Sequence, residues 1–186
     1  MTLKEMKLKV LGLIEEWNPN NEKLTDDPDI ATKLNEVINQ VMYEICTIKK
    51  FPKFVEMAVN KGDVITFEDI GMACGYDVFQ LGTVCGVPFD LKADGTVLRF
   101  KDSGTAEIDC YVFPERITAD TKDSYEFEVS NDVLEIMPYG IAADVLKSDA
   151  SAEYGSVYAT RYESKLQRLE QTYTVSSIYV EGGVRI

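Results

Sequence analysis

Apolar residues recur every three to four positions as far as about Phe54, alternate in short runs from there to Ile117, and then return to the first spacing. An amphipathic helix repeats its buried face about every 3.6 residues and a half-buried strand every second residue, so neither pattern can be accommodated by the other structure. The chain must therefore combine helices with strands, and the two kinds of element must occupy different stretches of it.

The first stretch holds two helices. Thr2 and Glu5 have the spacing of a capping box, and Leu3, Met6, Val10, Leu13, Ile14 and Trp17 share one face of a helix over residues 2–17. Asn18-Pro19-Asn20-Asn21 ends it. Asp27 followed by Pro28 is an N-cap with proline at the first helical position. The apolar stripe that follows is Ile30, Leu34, Val37, Ile38, Val41, Ile45 and Ile48. Pro52 disfavours the helical conformation in the residue before it, so the helix is expected to stop near Phe51.

In the middle stretch, Val64–Phe67, Tyr76–Leu81, Thr96–Phe100 and Ala106–Phe113 read as strands, with Asp94-Gly95 as a hairpin turn. Beyond Thr121, Ser130 or Asn131 opens a helix carrying Val133, Leu134, Met137, Ile141, Val145 and Leu146, with Pro138 inside it. After a break at 149–151, a last helix carries Tyr154, Val157, Tyr158, Tyr162, Leu166 and Leu169. The expected fold is α+β: mainly a helical bundle from both chain ends, residues 1–53 and 122–171, with an inserted antiparallel β unit at 54–121. Residues 172–186 form a C-terminal arm with strand character.

The chemistry is narrowed by what the chain lacks. It contains no histidine, which removes imidazole general bases and His-based triads. The four cysteines, at 46, 74, 85 and 110, form no C-x-x-C pair, so neither a zinc site nor any other metal is expected. Two echoing segments, Gly71–Gly75 and Gly82–Gly86, read as glycines bracketing buried cysteines in β turns. Asp90–Gly95 begins like a calcium loop, but its third position is Lys92 and its twelfth is Lys101, where ligands are required. No phosphate-cradling glycine loop is present, and the carboxylates of the middle stretch are too many for any pair to mark a hydrolase. The chain is expected to be no enzyme and to need no cofactor.

Net charge is −13, and residues 54–149 carry 7 basic and 19 acidic side chains, a net of −12. Tight general binding of nucleic acid requires the opposite balance. Lys49-Lys50-Phe51-Pro52-Lys53-Phe54 is a basic and aromatic cluster with reach to a phosphate, although cations at a helix C-terminus explain it more plainly. The tyrosines at 154, 158 and 162 suit a core stripe or a half-buried subunit interface, where the ring packs and the hydroxyl stays wet. No apolar run approaches the ~20 residues of a membrane span, and the N-terminus lacks a signal-peptide core, so a cytosolically made chain is expected.

Four segments together carry a resemblance: Leu34-Asn35-Glu36-Val37-Ile38-Asn39; Tyr111-Val112-Phe113-Pro114-Glu115-Arg116-Ile117-Thr118; Met137-Pro138-Tyr139-Gly140-Ile141-Ala142-Ala143 and on to Asp149; and Tyr158-Ala159-Thr160-Arg161-Tyr162-Glu163-Ser164-Lys165-Leu166. In their order and spacing, over residues 24–171, the chain resembles the head–tail connector (adaptor) proteins of tailed bacteriophages. The resemblance implies a structural virion protein of the neck, made in the host cytoplasm. Its subunit, able to remain monomeric alone, assembles into a ring of twelve under the portal protein. Such a ring extends the DNA channel and offers a docking surface for tail or stopper proteins, and DNA passes through it without specific binding during packaging and ejection. Partner contacts are expected at Tyr154, Tyr158 and Tyr162, and along the arm at Tyr173, Val175, Ile178, Tyr179 and Val180. A reading from another class is a carbohydrate- or peptide-binding β module on a helical scaffold, with Tyr76, Phe79 and Phe89 as its platform.

Overall fold

The computed structural model describes residues 1–16, 25–92, 95–147 and 152–173. The first helix, α1, spans Leu3–Leu13. Its capping box is formed as expected: Glu5 N–H donates to Thr2 Oγ1 at 3.2 Å and Thr2 N–H to Glu5 Oε2 at 2.8 Å. The helix is shorter than the apolar pattern predicts, with Glu15 already at φ 60°, and Trp17 lies outside the described residues. The second, α2, spans Pro28–Ile48, its first turn held by Asp27 Oδ1, which accepts from Asp29 N–H at 2.8 Å and Ile30 N–H at 3.2 Å.

The strands are β1 (Pro52–Val59), β2 (Val64–Thr66), β3 (Val78–Cys85), β4 (Phe89–Lys92), β5 (Val97–Phe100) and β6 (Gly104–Val112), and the helix α3 (Phe67–Cys74) stands among them. All pairing is antiparallel, in two sheets of three strands: β1-β6-β3, here sheet 1, and β2-β5-β4, here sheet 2. The helices α4 (Asn131–Leu146) and α5 (Ala152–Tyr173) complete the order.

The expectation of a helical bundle built mainly from the chain ends around one β unit is therefore corrected. The fold is α+β, with five helices spread along the chain and two small antiparallel sheets. The reason lies in residues 66–75. Thr66 accepts from Asp69 N–H at 3.3 Å and Asp69 Oδ2 accepts from Thr66 N–H at 2.8 Å, a second capping box that starts a helix at Phe67, the expected end of a strand. Gly75, at φ 79°, stops it in the left-handed conformation that glycine adopts without a steric penalty. The first of the two echoing cysteine segments is therefore a helix end, not a β turn.

Two apolar clusters result. One collects α1, α2, α4 and α5 around Met6, Ile38, Met42, Met137 and Ile141. The other packs both sheets and α3 around Ile70, Leu98, Phe100, Ile108 and Val112. Each fully buried side chain of this size contributes roughly 1.5–3 kcal/mol. All six apolar residues predicted for α4 are buried. Strand β1 was not read from the sequence, although Val55 and Val59 face inward while Phe54 and Glu56 face out.

Candidate functional site

Strand β6 ends at Val112, and the chain crosses from the sheet cluster to the helical one over Phe113–Ile117. Phe113 is stacked between Phe79 of β3, at 4.6 Å between ring centroids, and Tyr43 of α2, at 4.9 Å. Pro114 is buried and has no N–H to offer a ladder. Ile117 then enters the helical core. Its backbone is held on both sides by one buried amide: Asn39 Nδ2 donates to Ile117 O, and Ile117 N–H donates to Asn39 Oδ1, each at 2.7 Å. Asn35, one turn earlier on α2, donates to Thr118 O at 3.1 Å. A buried backbone that has left its strand needs these partners, and α2 supplies them from side chains.

The basic and aromatic cluster at 49–54 belongs to the same junction. Lys49 pairs with Asp132 at the start of α4. Burial alone raises the Asp132 carboxyl, but the bonds from Lys49 and Ser130 outweigh it and hold the group below its usual range. Lys50 lies over the Tyr111 ring at 4.8 Å. Lys53 lies over Tyr76 at 4.2 Å and Phe51 at 5.1 Å, and sits 3.7 Å from Glu128, which also accepts from the Tyr76 hydroxyl at 2.6 Å. These cations stitch α2, β1 and the connector together, which gives each of them a structural partner.

Beside the junction is an open cleft of about 700 Å³ between α2, α3 and residues 113–116. Tyr43, Phe67, Met72 and Phe113 give it an apolar floor, and Glu68, Asp77 and Glu115 outnumber Arg116 on its walls. Its field disfavours anions. The proposed aromatic platform is not assembled there or elsewhere on the sheets. Tyr76, Phe79 and Phe89 are each half-buried, engaged respectively by Lys53, Phe113 and Phe100.

The expected interface tyrosines divide by position along α5. Tyr154 is 70% exposed and Val157 48%, so the first turns of the stripe do not face the core. Tyr158 donates to Leu13 O at 2.5 Å, closing the end of α1 onto α5. Tyr162 is buried, and donates to Glu44 Oε2 at 2.9 Å. Burial, reinforced by the adjacent Glu44 carboxylate, drives its phenol far above the ordinary value. Of these three, only Tyr154 presents its ring to solvent. Tyr173 is the last residue of α5, and nothing is described of its side chain; Val175, Ile178, Tyr179 and Val180 lie outside the described residues.

Two of the four thiols, Cys46 and Cys110, are buried and not poised for chemistry. Burial pushes Cys46 up to about 12; burial, with Cys74 and Asp109 nearby, pushes Cys110 up to about 11. A thiol at such a value carries almost no nucleophilic thiolate at neutral pH. Among the described residues no group of three or more Cys, Asp or Glu side chains could hold a metal ion. No helix of the described chain is long and apolar enough to cross a membrane. The sequence matches no family model and no curated protein.

Proposed function

We propose that this chain is a structural subunit of a bacteriophage neck: a head–tail connector that binds the portal protein, forms a ring and carries the DNA channel toward tail or stopper proteins. It acts by assembly and not by catalysis. The observation that carries the reading is the way the four resembling segments hold one another. Asn39 of the first segment clamps Ile117 of the second. Tyr162 of the fourth lies against Gly140 of the third, so closely that a Cβ on that glycine would come within 2.9 Å of the ring and of Val41. Segments that meet in this way are parts of one fold, which is what a resemblance resting on their order and spacing requires.

The charge supports the same reading. A wall with the acidity of residues 54–149 repels the phosphate backbone and lets DNA slide without being held. In this reading the subunits lie in the virion neck and are made in the host cytoplasm. The test is electron microscopy and light scattering of the purified chain with and without the cognate portal ring. The expected result is a ring bound to one face of the portal, whether or not the free chain is monomeric. A chain that leaves the portal undecorated at every concentration sinks the proposal.

A further inference from the structure

The exposed charges on the outward face of sheet 1 are acidic, and those around one cleft of sheet 2 are mostly basic. On the outward face of sheet 1, Glu56 stands directly opposite Glu107 and Phe54 opposite Asp109, and all four are exposed. Like charges facing each other across a ladder destabilise it. Among the described residues none of these three carboxylates has an ion-pair partner.

Sheet 2 is the reverse. Arg99 lies between Val64 and Asp90 of the flanking strands, and with Lys61 and Lys101 it surrounds a cleft of about 360 Å³. Asp90 is the one carboxylate lining that cleft, and Lys101 engages it at 2.5 Å. Arg99 and Lys61 have no ion-pair partner among the described residues. Three of the 7 cations of residues 54–149 are thus gathered at one place in the most acidic part of the chain. Each face also carries an apolar side chain open to solvent: Phe54 is 57% exposed on the acidic face and Val64 53% beside Arg99.

We infer that these faces are the two halves of one contact between copies of this chain, with the basic cleft of sheet 2 receiving the acidic face of sheet 1 from a second copy. Arg99 and Lys61, with the Lys101–Asp90 pair beside them, bring net positive charge to Glu56, Glu107 and Asp109, which relieves the repulsion within the ladder. Phe54 and Val64 supply a small apolar centre inside a charged rim, the usual anatomy of such contacts. The two faces are different, so the contact is head-to-tail and leaves one of each free at the ends, the condition for a ring. The inference rests on the ring-forming reading above and names the surfaces that meet.

Sedimentation of the full chain at about 0.05 M and about 0.5 M salt tests it. Self-association is expected at low salt and to weaken at least about tenfold at high salt. The variants R99E/K101E and E56K/E107K should each weaken it by about tenfold or more, and the four changes together in one chain should restore it to within about threefold. Circular dichroism separates a lost contact from a lost fold, and because the restored variant carries every change, its recovery excludes misfolding. A chain that stays monomeric at low salt, an association indifferent to both pairs, or one that stops at a dimer overturns the inference. So does duplex DNA binding that R99E/K101E abolishes while self-association stays intact, since the cleft would then serve phosphate. Portal decoration by a chain whose self-contact ignores both pairs would leave the connector reading standing, and the converse result would remove that reading alone.

Discussion

Asn39 does what no apolar side chain in its place could do. Both of its amide bonds end on the backbone of Ile117, inside the helical core and remote from water. Asn39→Ala leaves a buried N–H and a buried carbonyl without partners, each costing roughly 1–3 kcal/mol, so a loss of about 2–6 kcal/mol is expected. Chemical denaturation of the folded chain checks it, and a loss below about 1 kcal/mol would mean that water takes the amide's place. The residue itself stands in the sequence as a polar break in the α2 stripe. Its role could not be read there, because its partner lies 78 positions away. Tyr154 illustrates the opposite failure: its spacing with Tyr158 and Tyr162 predicts a shared face, but in the first turn of α5 it is Gly155 that packs against α4, and Tyr154 is left exposed.

Elements defined by local signals were legible. Thr2 with Glu5, Asp27 with Pro28, and the apolar stripes of α1, α2 and α4 depend on neighbours within one or two turns. Elements were missed where a second pattern lay on top of the first. Lys53, the one cation of β1, shares a basic run with Lys49 and Lys50 at the end of α2, and the capping signal Thr66-x-x-Asp69 is obscured by the β-branched run before it. Packing between elements leaves a sharper trace. Gly140 of α4 has its missing Cβ occupied by the Tyr162 ring of α5 and by Val41 of α2, both 2.9 Å from where it would stand. Gly140→Ala raises helix propensity by ~1 kcal/mol but overpacks a closed interface, which costs typically 1–3 kcal/mol. The net expectation is a lower melting temperature, measured by thermal unfolding. An unchanged or higher one would show that Tyr162 has room to move.

For the whole molecule, several buried acids share one direction of shift. Burial, with Glu115 and Glu128 nearby, pushes the Tyr125 phenol up to about 12, and Cys46 and Cys110 are raised to about 12 and about 11. A raised value in the folded state means that the unfolded chain releases these protons first. Their contribution is fully present below the unfolded values, 9.0 for cysteine and 10.0 for tyrosine, and is lost as pH rises through the folded ones. Stability should therefore be flat on this account up to about pH 9 and fall steeply toward pH 12. Denaturant midpoints across that range would show it, and a midpoint unchanged at pH 11 contradicts the burial of these groups.

The pairing of β1 with β6 also acts at a distance. Pro52, where the chain enters sheet 1, faces Tyr111, where it leaves. Asn39 and Ile117 are separated by 78 residues along the chain, but with that ladder formed the path between them shortens to about 20. Closing the shorter loop saves about 1 kcal/mol of chain entropy. The sheet thus favours closure of the helical core through connectivity, beyond the Phe79–Phe113–Tyr43 stack where the two meet, and the closed core, by the same linkage, favours the sheet. Cooperativity between the two clusters is in this respect a property of connectivity, carried by no contact that could be mutated away.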